Sequence, residues 1–458
     1  MKEKIKEYFE NHKHQLLGLI ADLVEYPSVR GEAQEGRPFG EKPYEVLCRA
    51  LEFADVFGFR TENHDGYVGT VDMGEGEPEL GILAHLDVVP AGDGWSTDPY
   101  KMEVRGDRVF GRGVSDDKGP AVCALFAMKA VRDLGLPITK SCRLILGTDE
   151  ECGSSDIAHY FQTAKPPKYV FTPDANFPVT NGEKGRFTKH FYKTVDFSGE
   201  AKTVASFNAG KAANAVPDYA EAVVSGVNVD EIAKAIELSG NTGAEFTADG
   251  GRIKCIGTAA HASLPENGNN PVTALFEMLS HIDFGEKTAE FISSLCRLFP
   301  HGKWNGEAFG VDMCDKLGAL TLTLDVVNFD GKNFEGCFDT RTPMSATQEN
   351  CADKIKAELK KYGFEIENTE MIKPHYVDEN SEFVQTLLNA YETYSGDKGD
   401  CISMGGGTYV HDIASGVAFG AISRDTQTNM HGADEFMLID DLLTAAEIFT
   451  QAIAEICR

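Results

Sequence analysis

GILAHLDVVPAGDGW (Gly81–Trp95) and, after a short spacer, GRGVSDDKG (Gly111–Gly119) carry the reading that decides the fold. Gly81 to Ala84 is apolar, His85 and Asp87 follow, and Pro90 and Gly92 close the segment. Such a run predicts a buried strand over Gly81–Val89 that ends in a loop. Residues two apart on a strand share a face, which puts His85 and Asp87 on one side. Asp116 and Asp117 stand in a glycine-framed loop just beyond. A histidine held by one carboxylate and facing others is a metal-site pattern.

Working outward, an apolar helix is expected from about Pro120 to Leu134. The strand CRLILGT (Cys142–Thr148) then ends in Asp149-Glu150-Glu151. Ser155-Asp156 offers a cap for a short helix through Phe161, and KYVFTPDA (Lys168–Ala175) is a third strand, ending at Asp174. Strands alternating with helices predict an α/β sheet with crossover connections. Three successive strands end in His85/Asp87, Glu150/Glu151 and Asp174. Open α/β sheets bind their ligands at that end of the strands.

After Asn181-Gly182-Glu183-Lys184-Gly185 the texture changes. Strand-like runs (Arg186–Phe197, Tyr219–Val227, Arg252–Gly257, Leu320–Val327, Asn333–Asp339) lie among helices over Val229–Leu238, Pro271–Ile282 and Gln348–Tyr362. Asp330-Gly331 marks a hairpin. From Ser381 the α/β texture returns, with a helix over Phe383–Tyr394, the loop Gly405-Gly406-Gly407, a strand over Gly416–Ser423, His431 and a closing helix from Ile439. The expected organisation is an α/β catalytic domain with a mixed sheet flanked by helices, built from residues 1–183 and 379–458. An inserted α+β lid domain, residues 184–378, interrupts it.

The whole chain sets bounds. Its 458 residues exceed one ordinary core, and 42% hydrophobic with 25% charged residues is the composition of a soluble globular protein. A formal net charge of −29 argues against nucleic acid and anionic membranes as partners. No stretch reaches the roughly 18 apolar residues that a bilayer span needs. The start of the chain reads as an amphipathic helix through Ile5, Phe9, Leu16, Ile20, Leu23 and Val24 rather than an export signal. Eleven scattered cysteines, with no Cys-x-x-Cys, then read as reduced thiols in a cytoplasmic protein. Cys152 sits beside Glu151, but the donor set is complete without sulfur.

Hydrolysing an amide near neutral pH needs a hydroxide nucleophile, a proton acceptor, and positive charge at the developing oxyanion. Two metal ions sharing a carboxylate supply the first and third, and a free carboxylate supplies the second. The chain offers His85, Asp116, Glu151, Asp174 and His431 as donors, with Glu150 adjacent and Asp87 behind His85. A Gly-x-Ser-x-Gly elbow, a His-Glu-x-x-His helix and a Walker loop are all lacking.

HLDVVPAGDGW, GRGVSDDKGP, TDEECGSSD, Pro173-Asp174-Ala175, Gly-Gly-Gly-Thr-Tyr at Gly405–Tyr409 and Met430-His431 together resemble the co-catalytic metallopeptidase family of carboxypeptidase G, aminoacylase and the carnosinases. The likeness is greatest to the PepV-type (Xaa-His) dipeptidases. The resemblance implies that Asp116 bridges two divalent ions, zinc before manganese or cobalt. His85 and Asp174 would complete one site, Glu151 and His431 the other. It also implies a cis peptide after Asp116. Glu150 would be the base that activates a metal-bridging water, and Asp87 would orient and polarise His85. From the lid, His261 would donate to the oxyanion and Arg341 would grip the substrate carboxylate. Asn214 and Gly405, Gly406 and Gly407 would also meet substrate. The long insertion implies a monomer that acts on small peptides with all its site residues in one chain. In the family an arginine commonly stands two positions after Gly-Gly-Gly-Thr-Tyr, and here that position is His411. The implied activity is dipeptide hydrolysis. An N-acyl-amino-acid amidohydrolase using the same site is the alternative, and a non-catalytic binding protein on this fold is a third reading.

Overall fold

The computed structural model describes residues 1–458. The chain forms two compact units. The first comprises Met1–Gly182, Tyr376–Ser403 and Gly407–Arg458, and the second comprises Glu183–His375 with Met404–Gly406.

The first unit is built on a mixed sheet. Its strands run in the order Arg60–His64, Val68–Met73, Ser141–Gly147, Pro78–His85, Tyr169–Thr172, Gly416–Ala418, Val179–Glu183. Pro78–His85 lies between two parallel neighbours, Ser141–Gly147 and Tyr169–Thr172. Ile82 and Ala84 join the large core and Leu83 a smaller cluster with Val68, Ile145, Val170 and Val410. Burial on both faces explains why the run is continuously apolar instead of alternating. The helices Lys2–Val24, Lys118–Asp133, Glu382–Ser395 and Ile439–Ile456 supply most of that large core.

The strand stops at His85, short of the expected Val89. Its neighbour Ser141–Gly147 also runs out there, and the Val88 N–H turns to the Ser28 carbonyl instead. Asp87 therefore stands in the loop, not on the strand face. The helix after the aspartate pair starts at Lys118, so Pro120 falls in its first turn, where a missing N–H leaves no bond unmade. Three elements unforeseen in the sequence complete this end: Glu41–Val56 and the strands Arg60–His64 and Val68–Met73.

The second unit is an antiparallel sheet ordered Glu245–Asp249, Arg252–Ile256, Tyr219–Ser225, Thr203–Ala209, Thr321–Phe329, Asn333–Thr342, Lys189–Thr194, Glu365–Ile366. The Asp330-Gly331 hairpin forms as expected, with Phe329 opposite Phe334. The sheet packs on Val229–Leu238, Pro271–Ser280, Glu286–Leu298 and Asp353–Lys361 through a phenylalanine-rich core. Phe207 and Phe329, with ring centroids 4.9 Å apart, sit within it. The α/β unit with an inserted α+β unit is the fold class the sequence predicts.

Candidate active site

Seven of the sequence-predicted residues converge at the strand ends of the first unit. Donor atoms of His85, Asp116 and Asp174 lie within 4.8 Å of one another, and so do those of Asp116, Glu151 and His431. Asp116 belongs to both triads and divides its oxygens between them. Its Oδ1 lies 3.0 Å from His85 Nε2, and its Oδ2 lies 2.8 Å from His431 Nε2. Asp174 Oδ2 is 3.7 Å from His85 Nε2, and Glu151 Oε1 is 3.2 Å from His431 Nε2.

Each donor has a local cause. His85 is the last strand residue, and its Nδ1 is 3.0 Å from the Asp87 carbonyl. A carbonyl can only accept, so Nδ1 carries the proton and Nε2 presents a lone pair. That buried Nε2 makes no hydrogen bond, although a carboxylate oxygen lies 3.0 Å away. A lone pair facing anionic oxygens, in a site where His85 is 1% and Asp116 5% exposed, calls for a cation between them. The donor set thus fits metal ions: nitrogen and carboxylate oxygen, with excess negative charge.

The same crowding governs the titration of these groups. With only protons to share the site, burial pulls the His85 pKa down, but the carboxylates of Asp116, Asp174 and Asp87 outweigh it and hold the ring well above the usual histidine value, so a proton and a metal ion compete for Nε2. Burial raises Asp116, yet the two histidines bring it below the ordinary carboxylate range. Hydrogen bonds to Asp116 and Glu151 push His431 up to about 10. Glu150 goes well above its usual value, first through burial and then, against the opposing pull of His85, through Asp174, Glu151 and Asp116. A carboxyl so placed readily holds a proton.

Asp87 acts through two groups. Its carbonyl takes the Nδ1 proton of His85, while its carboxylate, 3.5 Å from that ring, accepts the backbone N–H groups of Glu150 and Glu151 at 3.2 and 3.1 Å. One residue therefore fixes the histidine and the turn Glu150–Cys152 together. The peptide between Asp116 and Asp117 is cis, and Asp117, fully buried, accepts the His85 N–H at 3.0 Å.

Other positioning residues escaped the sequence reading. Asp156 is not a helix cap. Its carboxylate accepts the N–H groups of Thr148 and Asp149 at 2.6 and 2.9 Å and the Tyr409 hydroxyl at 2.5 Å. A Cβ on Gly147 would lie 2.1 Å from Tyr409 Oη, so glycine is required there. Glu435, also fully buried, accepts Arg112 Nη1 at 2.6 Å and the Gly113 and Ser115 N–H groups. Arg112 Nη2 gives to the Gly432 carbonyl at 3.1 Å. This pair ties the Asp116 loop to the His431 loop, whose histidine has φ +62°. Acidic residues next to glycine loops were visible in the sequence, but not their distant partners.

The remaining predicted residues lie apart from these. Asn214, His261, Arg341, Gly405 and Gly406 belong to the second unit, while Gly407 opens the last segment of the first. Ala215 pairs with His261, and the Asn214 carbonyl accepts the Ala262 N–H at 2.9 Å. Arg341, 4% exposed, spends Nε and Nη2 on Asp339 and Nη1 on the Gly405 carbonyl. Asn214 and Arg341 line one cavity of about 380 Å³ with Arg186, Lys189 and Glu370.

Residues 81–455 match the sequence profile of Peptidase family M20/M25/M40. The chain is 35% identical to the Bacillus subtilis (strain 168) protein named "Putative dipeptidase YtjP", over 96% of this chain and 97% of that one. It is 34% identical to the Beta-Ala-Xaa dipeptidase of Lactobacillus delbrueckii subsp. lactis, over 99% and 98%. Human carnosine dipeptidase 1 shares its fold, with a TM-score of 0.60 at 15% identity and 100% of both chains covered. A profile spanning most of the chain and full-length relatives at this identity agree with the site's geometry, and the chain belongs to peptidase family M20/M25/M40.

Proposed function

We propose that this protein is a metal-dependent dipeptidase whose two ions are held by His85, Asp116 and Asp174 on one side and Asp116, Glu151 and His431 on the other. The observation that carries the reading is the division of Asp116 Oδ1 and Oδ2 between the two donor triads, with the unligated Glu150 beside them. Full-length relatives named as dipeptidases support the substrate class. When bound, the ions supply acidified water and positive charge at the scissile carbonyl oxygen.

The chain's own residues do the rest. Glu150 takes the proton of the attacking water and returns it to the leaving amine nitrogen. Asp87 holds the Glu150 turn and the His85 tautomer in place. His261 donates a hydrogen bond to the oxyanion. Asn214, Arg341 and the Gly405–Gly407 loop bind the substrate, and Arg341 does so with the N–H groups that Asp339 and Gly405 leave over. Two imidazoles and three carboxylates suit zinc first, then manganese or cobalt. The eleven free thiols suit a reducing cytoplasm, and the long inserted unit suits a monomer.

The test is turnover of metal-stripped protein after return of Zn²⁺, Mn²⁺ or Co²⁺, against β-alanyl and α-dipeptides, tripeptides and N-acyl amino acids. Metal-dependent cleavage of dipeptides is the expected result. Turnover of N-acyl amino acids without dipeptides would make the enzyme a deacylase, and no turnover of either class would leave a binding protein. Light scattering checks the monomer.

A further inference from the structure

His261 begins a tight turn in the second unit, closed by the Leu264 N–H on the His261 carbonyl at 2.9 Å. Its ring folds back on that turn. Nδ1 lies 3.2 Å from the backbone nitrogen of Ser263 and 2.6 Å from Ser263 Oγ. The amide N–H can only donate, so Nδ1 must accept, and the neutral ring then carries its proton on Nε2. The hydroxyl could act either way, and with Nδ1 already an acceptor it donates too.

Ser263 has little freedom to do otherwise. A Cβ on Gly405 would lie 2.3 Å from Ser263 Cβ and 2.7 Å from its Oγ. The bare backbone at Gly405 therefore makes room for the hydroxyl, while the Gly405 carbonyl is held by Arg341 Nη1 at 2.6 Å. Protonating Nδ1 would turn the Ser263 N–H against another N–H. The charged groups that act on the ring are Arg341 and Asp339. Burial, followed by the Arg341 charge against the weaker pull of Asp339, brings its pKa below the ordinary histidine value.

We propose that Ser263 is a positioning residue that fixes His261 as the neutral tautomer protonated on Nε2. The catalytic use of that tautomer rests on the proposed role of His261 as oxyanion donor. A hydrogen-bond donor at the oxyanion must keep an N–H directed outward through the reaction, and a ring free to exchange tautomers would offer a bare lone pair part of the time. The hold on Nδ1 removes that state.

The test uses the metal-loaded enzyme with ¹⁵N-labelled histidine, His261 being assigned by its loss in His261→Asn. Long-range ¹H–¹⁵N spectra near neutral pH should show Nε2 protonated and Nδ1 unprotonated. Ser263→Ala keeps the backbone N–H and loses only the hydroxyl donor, so the Nδ1-protonated tautomer should appear as a minor form, the imidazole pKa should rise, and kcat should fall by up to about tenfold with KM little changed. A wild-type proton on Nδ1 overturns the proposal whatever the activity, and so does unchanged tautomer and titration in Ser263→Ala. If the tautomer is as stated while His261→Asn keeps the wild-type kcat, the hold of Ser263 on the ring stands and the oxyanion assignment falls.

Discussion

Glu150 and Asp116 make different demands on the same few cubic ångströms. Glu150 belongs to neither donor triad, so Glu150→Gln should leave two ions per chain by elemental analysis while kcat falls by about 10²–10⁴. A variant that loses metal instead would place Glu150 among the ligands. Asp116 serves both triads, so Asp116→Asn should lower the content of both ions, whereas His431→Ala should lower one. Elemental analysis of the pair of variants separates the two outcomes. At this scale the residues that cluster were legible: His85, Glu151 and Asp174 stand at or just past strand ends, Asp116 in a glycine-framed loop, and His431 in the Met-His pair that resembles the family's last ligand. Their supports were not. Glu435 and Arg112 are 323 residues apart in the chain, and no local pattern pairs them. Asp156 sits beside a serine at a helix start and reads as a cap, while its carboxylate turns inward to Thr148, Asp149 and Tyr409.

Among the elements, a helix with a complete cap was read to the residue. That helix is Val229–Leu238, where Asn228 and Glu231 form a reciprocal cap. Arg60–His64 was missed because its side chains are exposed or half-buried and its sequence, RTENH, carries no apolar alternation. Only pairing with Val68–Met73 makes it a strand. The closing helix Ile439–Ile456 carries an oddity of its own. Glu447 is buried in it, and burial, eased partly by Lys6 and reinforced by Glu10, raises its pKa to about 7. A carboxyl whose folded value is raised binds its proton more tightly in the folded state. Wild-type stability should thus be intact below about pH 4.5, the unfolded value, and should decline until the pH passes about 7. Glu447→Gln removes the penalty. Denaturant melts should show it more stable than wild type by roughly 1–3 kcal/mol near pH 8 and equal near pH 4.5.

For the whole molecule, the family was legible in the order of motifs along the chain, and the inserted α+β unit in the change of strand and helix texture after Gly185. No helix is long and apolar enough to cross a membrane. Four carboxylates, Asp116, Glu150, Glu151 and Asp174, crowd around two histidines in the first unit, so the folded chain is under electrostatic stress that cations relieve. Chelation should therefore lower the melting temperature, and added Zn²⁺ at about 100 times its Kd should restore roughly 2.7 kcal/mol of stability. An unchanged melting curve after verified metal removal would show that the fold does not lean on the ions.

The divided carboxylate of Asp116 has a thermodynamic corollary. An ion in one triad draws electron density from an anion that the other triad also needs, and the two cations repel across it. With Asp116 shared by two ions, occupancies at the two sites would be linked rather than independent, and the linkage would be reciprocal: each ion would weaken the other by the same factor. A metal titration should resolve two stepwise constants of unequal size. Any reagent that strips the weaker ion should leave behind a singly loaded enzyme that grips its remaining ion harder than before.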